Sequence, residues 1–319
     1  MHTLKSIGWT VLAALLLCTS CGADDDTTNS TSIPPYLSRH EVEYELIDEA
    51  SGMAASRRHS GLLWLHNDSG DKPRLYAVDT GGRHRGVFEV VGAEAVDWED
   101  MAAGPDPETG TSSLYLGDIG DNRAVRDSIT VYRVHEPIVK PHSGKGAPGT
   151  TRDEDIRRTK EAETFHFRYP DGPRDAECLL VDPRDDRLYI ISKREDSVGL
   201  YRAPADLTDR AGHSLEFLAR LPLTQVTAGD IRSDGRAILL KTYEKVFWYP
   251  IEEGQSIADA LAADPKELPY LREPQGEAIA FSIDKESYYT VSEERHGVPA
   301  MVYEYKNPTE SRHPAKQEE

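Results

Sequence analysis

The chain has 319 residues, 38% of them hydrophobic and 29% charged, and 56 acidic side chains against 37 Lys and Arg give a formal charge of −19. A surplus of that sign opposes the counterion release behind nucleic-acid binding and repels an anionic lipid surface. The apolar content is enough for a core, which excludes a wholly disordered chain, and the length admits one large all-β domain.

The first twenty residues have the layout of an export signal: Lys5 precedes an apolar run from Ile7 to Leu17 that is too short to span a bilayer. The adjoining Leu17-Cys18-Thr19-Ser20-Cys21-Gly22 resembles a bacterial lipoprotein processing site, with a small residue before the cysteine that receives the lipid. Cys21 fits that role better than Cys18, and ordinary secretory cleavage is the alternative. These features predict a signal over 1–20, a polar tether over 21–39, a folded unit over 40–306 and a polar tail over 307–319, exported and anchored through lipid on Cys21 to a bacterial membrane. With Cys21 acylated, no disulfide is available, and Cys178 reads as a small packed residue in Ala176-Glu177-Cys178-Leu179-Leu180-Val181.

Within the folded unit five segments superpose: Glu49-Ala50-Ser51-Gly52-Met53, Asp97-Trp98-Glu99-Asp100-Met101, Asp175-Ala176-Glu177-Cys178-Leu179, Thr227-Ala228-Gly229-Asp230-Ile231 and Gln275-Gly276-Glu277-Ala278-Ile279. Each precedes a turn and a second apolar run, as in Asp182-Pro183-Arg184-Asp185-Asp186 before Leu188 to Ile191. A third run carries a Tyr in every copy, at Tyr76, Tyr132, Tyr201, Tyr249 and Tyr303, and reads as packing between repeats. Fourth strands are expected at Val87 to Val90, Thr164 to Phe167 and Leu215 to Leu218. Four antiparallel strands in a repeat of about 50 residues describe a β-propeller blade. The fold class is therefore all-β, a single propeller of five blades, or six if the longest gap hides a degenerate copy. Residues 140–163 read as an insertion loop, Ser256 to Ala263 as a short helix, and Glu43 to Ile47 as the strand that closes the ring.

The Asp-Ala-Glu opening at Asp175, Ala176 and Glu177, with the hairpin from Asp182 to Tyr189, resembles the bacterial extracytoplasmic propellers grouped around NHL, YVTN and phytase-like repeats. Phytase-like members are calcium-dependent phosphatases, so the resemblance implies calcium and a phosphorylated substrate. The chain departs from their pattern, with Cys178 where they have Gly and five copies where they have six blades.

In a propeller the start of the innermost strand and the end of the second meet at one rim. The inner openings bring Glu49, Asp97, Glu99, Asp175, Glu177, Asp230 and Glu277 there, and the second-strand exits bring His66-Asn67-Asp68, Asp118, Asp121, Asn122, Lys193, Arg194, Lys241-Thr242-Tyr243 and Glu293-Glu294. Converging carboxylates repel by about 4 kcal/mol per pair at 4 Å and an effective dielectric near 20, so they call for a cation, a proton or a basic neighbour. Ca²⁺, which takes six to eight oxygens, meets that need, and Asp97, Glu99, Asp118, Asp121, Asp175, Glu177, Asp230 and Glu277 are its candidate ligands. The alternative is that these acids accept backbone N–H groups in loops. Lys193, Arg194 and Lys241 are candidate anion receptors or, equally, counter-ions of the acidic ring.

His59, His66, His135 and His296 lack zinc spacing, and Ser69 has no base partner in the sequence. Two readings remain. The first is a monomeric, lipid-tethered module that presents its rim to a protein, glycan or small ligand. The second is a calcium-dependent phosphoester hydrolase in which Glu99, Glu177 and Glu277 hold metal while Lys193, Arg194 and Lys241 bind phosphate.

Overall fold

The computed structural model describes residue 34 and residues 37–106, 109–140, 156–209 and 212–306. Five sheets succeed one another along the chain, and each begins with its innermost strand. The first blade comprises Ala50–Ala55, Leu62–Asn67, Arg74–Asp79 and His84–Glu89. The second comprises Trp98–Pro105, Ser112–Asp118, Ile129–His135 and Glu163–Arg168. The third comprises Ala176–Val181, Leu188–Ser192, Val198–Arg202 and Glu216–Leu221, and the fourth Val226–Ile231, Ala237–Thr242, Val246–Pro250 and Lys266–Leu268. The fifth takes Gly276–Phe281, Ser287–Ser292 and Met301–Lys306 from the end of the chain and Leu37–Glu41 from its beginning. Each inner strand packs against those of the blades on either side, and the first meets the fifth. The protein is a five-bladed β-propeller.

The closing strand differs from the expected one. Leu37–Glu41 pairs antiparallel with Met301–Lys306, Leu37 opposite Tyr305 and Glu41 opposite Met301, so this strand lies partly inside the stretch that composition marked as tether. An outermost strand shows little of itself to the core, and the mostly polar Leu-Ser-Arg-His-Glu satisfies that requirement. The alternating Glu43 to Ile47 makes no ladder. Its Tyr44 and Ile47, with Val42, are instead buried between the fifth and first blades, which explains an apolar period that otherwise reads as a strand.

The core is a set of five seams, one between each pair of neighbouring blades, and each seam contains one member of the Tyr column. Tyr76 lies between blades five and one, Tyr132 between one and two, Tyr201 between two and three, Tyr249 between three and four, and Tyr303 between four and five. All five are buried, and the hydroxyls of Tyr76 and Tyr201 donate to Asp71 and Asp171 respectively. A wide aromatic body with a polar tip at the strand end suits that position. Cys178 is a buried free thiol in the seam between blades three and four.

The described end of the insertion contains a strand. Arg157–Arg158 adds a parallel edge to the first blade beside Phe88 and Glu89, with the Arg157 guanidinium 4.4 Å from the centre of the Phe88 ring. His213–Ser214 caps the second blade in the same way. Both pieces cover outer strands that would otherwise expose unpaired backbone. The expected helix is present as Ile257–Leu261, capped by the Ser256 side chain on the Asp259 N–H. The signal, Cys21 and the tail lie outside the described residues.

Candidate functional site

Every inner strand carries a β-bulge two residues from its opening. Ala50 and Gly52 face Asn67 and His66, which leaves Ser51 as the extra residue, and the same irregularity singles out Glu99, Glu177, Thr227 and Glu277 in the other blades. A bulge re-aims its side chain out of the pleat. These five form a buried ring around the channel, three of them glutamates. Above them stand the residues immediately after each second strand: Asp68, Ile119, Lys193, Tyr243 and Glu293. The two rings together make the mouth.

In the half built by blades three to five each glutamate has a partner from the same chain. Lys193, only 4% exposed, donates to Glu177 and, at 2.8 Å, to the Tyr243 hydroxyl; it lies 3.8 Å from Glu277, with its ammonium 5.0 Å from the Tyr243 ring centre. Tyr243 in turn donates to Glu277, and Gln275 bridges Glu277 at 3.4 Å and Glu293 at 3.0 Å. Burial pushes the Glu177 carboxyl up to about 8, with Lys193 pulling the other way. Burial also raises Glu293, to about 9, helped by its hydrogen bond to Glu277 and by that residue's charge. Glu277 is raised by burial, but the bonds from Glu293 and Tyr243 and the Lys193 charge bring it below the ordinary carboxylate range.

In the half built by blades one and two three acids converge, and none of them forms an ion pair with a described residue. One carboxylate oxygen each from Asp68, Asp97 and Glu99 lies within 4.8 Å of the others. Burial raises all three; next in weight, Glu177 acts on Glu99 and Asp68 acts on Asp97, which is lifted to about 6. No described residue donates a hydrogen bond to the Glu99 carboxylate, and the Glu177 Oε2 beside it is buried without a partner. Gly120 makes room for this cluster, since a Cβ there would fall against Glu99 Oε1 and within 2.6 Å of Asp97 Oδ2. Its glycine is required by close approach.

The remaining candidates brace loops. Asp118 pairs with Arg126 at 2.7 Å and accepts from the Val96 and Asp97 N–H groups at 3.3 Å. Asp121 accepts from Arg126 N at 2.7 Å and donates its own N–H to Asp175 at 2.9 Å. Asp175 also receives Arg194, whose guanidinium reaches Asn122 as well. Lys241 is wholly buried between blades four and five: it donates to the Gly276 carbonyl, lies 3.9 Å from Glu273 and 4.8 Å from the Tyr270 ring centre, and presents no surface to an external anion.

Asp230 is not at the mouth. The bulge of the fourth blade is at Thr227, so Ala228 matches Asp100, and Asp230 lies two residues further along, roughly 7 Å deeper. Superposing Asp230 on Asp100 matched two acids but slipped the register. Asp230 accepts from Phe281 N at 2.8 Å and, with Arg57, Ala54, Ala103 and Phe281, lines a cavity of about 20 Å³ at the opposite end, room for about one water. Burial there lifts its carboxyl to about 7. Asp100, unassigned in the sequence, is the floor of the mouth: it accepts from Met101 N and Leu179 N at 2.8 Å and from Gly229 N at 3.3 Å, tying three inner strands together across the channel. Only an acid next to a bulge hinted at it.

No protein-family model and no curated protein matches the chain. Among solved structures, it is similar to a chain in a crystal structure of a nidogen/laminin complex, at 9% identity and a TM-score of 0.43, over 82% of this chain and 86% of that one. A similarity of that size carries no functional argument, and the five-bladed assignment rests on the strand pairing.

Proposed function

We propose that the protein is a binding module, exported and tethered by lipid on Cys21, whose working face is the channel mouth and whose mouth takes a divalent cation, Ca²⁺ being the best match. The observation that carries this reading is the convergence of Asp68, Asp97 and Glu99, none of which forms an ion pair with a described residue, with the buried and partnerless Glu177 Oε2 beside them. Buried charge without a partner costs several kcal/mol, and a hard cation with oxygen ligands removes that cost. Asp68, Asp97 and Glu99 would hold the ion from the channel side and leave its outer side to a ligand.

Binding is favoured over phosphoester hydrolysis because Lys193, Arg194 and Lys241 are all engaged with internal acceptors. Metal analysis and thermal melts of the full chain in calcium and in chelator test the reading. A ligand at one hundred times its dissociation constant stabilises by about 2.7 kcal/mol, so calcium raises the melting temperature of the wild type and leaves Glu99→Gln unmoved. Absence of bound metal and of any shift overturns the calcium site. Retention of a Cys21→Ser variant in the membrane fraction overturns the anchor.

A further inference from the structure

The strand directions sort the loops into two faces, and exposed aliphatic side chains gather on the face of the mouth. Leu46 lies on the connection into the first blade, Val96 on that into the second, Leu271 on that into the fifth, and Val125 and Val298 on hairpins of the second and fifth blades. Their exposure runs from 39% to 68%. The other two large exposed apolar residues among those described are elsewhere, Ile138 on the opposite face and Phe217 on the outer strand of the third blade. Isolated exposed apolar residues need no explanation, but a partial collar on one face, on the loops of blades five, one and two beside a charged centre, has the anatomy of an interface.

The centre specifies the partner's charge. The chain carries −19, and the partial collar lies on the same blades as Asp68, Asp97 and Glu99, so an acidic segment is repelled and a basic one attracted. The mouth also shows how it handles an alkylammonium, because Lys193 is held there by a glutamate, a tyrosine hydroxyl and the face of the same tyrosine ring.

We infer that this face docks a protein segment in which a Lys or Arg side chain, flanked by apolar residues, enters the half of the mouth built by blades one and two while its neighbours lie on the collar. The inference rests on the mouth being a cation receptor and goes beyond the calcium reading, for the partner's ammonium or guanidinium and Ca²⁺ then compete for the same three carboxylates.

The test is selection from a random peptide library on the full chain in chelator, followed by titration of the selected peptides. Enriched peptides carry Lys or Arg between aliphatic residues. Replacing that base by norleucine weakens binding by about tenfold or more, as do Asp97→Asn and the paired surface change Leu46→Ser with Val125→Ser. Calcium displaces the peptide. Failure to enrich, enrichment of peptides without a base, or indifference to Leu46→Ser with Val125→Ser overturns the proposal. The two readings fail separately: a calcium shift with no selected peptide removes the docking, while Asp97-dependent peptide binding with no calcium shift removes the metal.

Discussion

The two halves of the mouth solve the same problem in opposite ways. On blades three to five the glutamates contributed by the bulges are matched by a lysine of the same chain, a tyrosine and a glutamine, so the charge is internal and the network closes. On blades one and two the mouth instead brings together Asp68, Asp97 and Glu99, which form no ion pair with a described residue. One bulged strand, repeated around a ring, therefore yields both a structural ion cluster and a receptor. The choice depends on the residue placed just past the second strand: Lys193 and Tyr243 in one half, Asp68 and Ile119 in the other. Partner supply, more than acid content, separates bracing from binding.

The comparison breaks most visibly at Lys193. Lys193→Met leaves Glu177 and Glu277 without their cation and is expected to cost about 3–5 kcal/mol, read as a lower urea midpoint at unchanged slope. Adding Glu277→Gln to that variant recovers part of the loss, because Glu277 is the carboxylate left ionised. A Lys193→Met protein as stable as the wild type would show that the partnered half is not structural. Tyr243→Phe is the next step down: it removes the hydroxyl that accepts from Lys193 and donates to Glu277, and is expected to cost about 2 kcal/mol in the same measurement.

The fold was legible because it repeats. Short strands, turns and one Tyr per copy recur five times, and each Tyr occupies its own seam. Features that belong to one place only were the misleading ones. The alternation at Glu43 to Ile47 records burial in a seam, which a ladder and a packed loop share, whereas the true closing strand is too polar to announce itself. The site was half legible: the sequence brought Asp97, Glu99, Glu177 and Glu277 to one rim, but the fourth-blade bulge falls on Thr227, so the acid at Asp230 suggested the wrong register. Lys241 looked like Lys193 at a strand exit, and only the packing of Glu273 and Tyr270 against it shows that it is interior. Gly276 permits that packing, since a Cβ there would lie within 2.8 Å of the Lys241 ammonium.

Titration sharpens the comparison further. The folded carboxyls titrate at about 6 for Asp97, about 8 for Glu177 and about 9 for Glu293, against ordinary values of 3.8, 4.5 and 4.5. The folded protein thus binds more protons than the unfolded chain between those limits. The stability these groups contribute is full below the ordinary carboxylate range and is lost as pH rises through 6, 8 and 9, by at most about 1.4 kcal/mol per pH unit for each proton. Urea titrations across that window in chelator should show the fall, and calcium should flatten it. A flat profile without calcium would mean that the acids are relieved in some other way.

The smallest effect has the opposite sign and isolates the half built by blades one and two. Glu99 is buried with its titration raised, so at pH 9 the unfolded chain carries an ionised carboxylate that folding must either protonate or bury among Asp68, Asp97 and Glu177. Gln at that position does neither. Glu99→Gln is therefore expected to stabilise the calcium-free protein by about 1 kcal/mol at pH 9, equivalent to somewhat under one unit of a neighbour's titration, and to leave it unchanged near pH 3 where the acid is neutral in both states. Destabilisation at both pH values would show that Glu99 has an internal hydrogen-bonding duty like that of Glu277, and the distinction between the halves would fall.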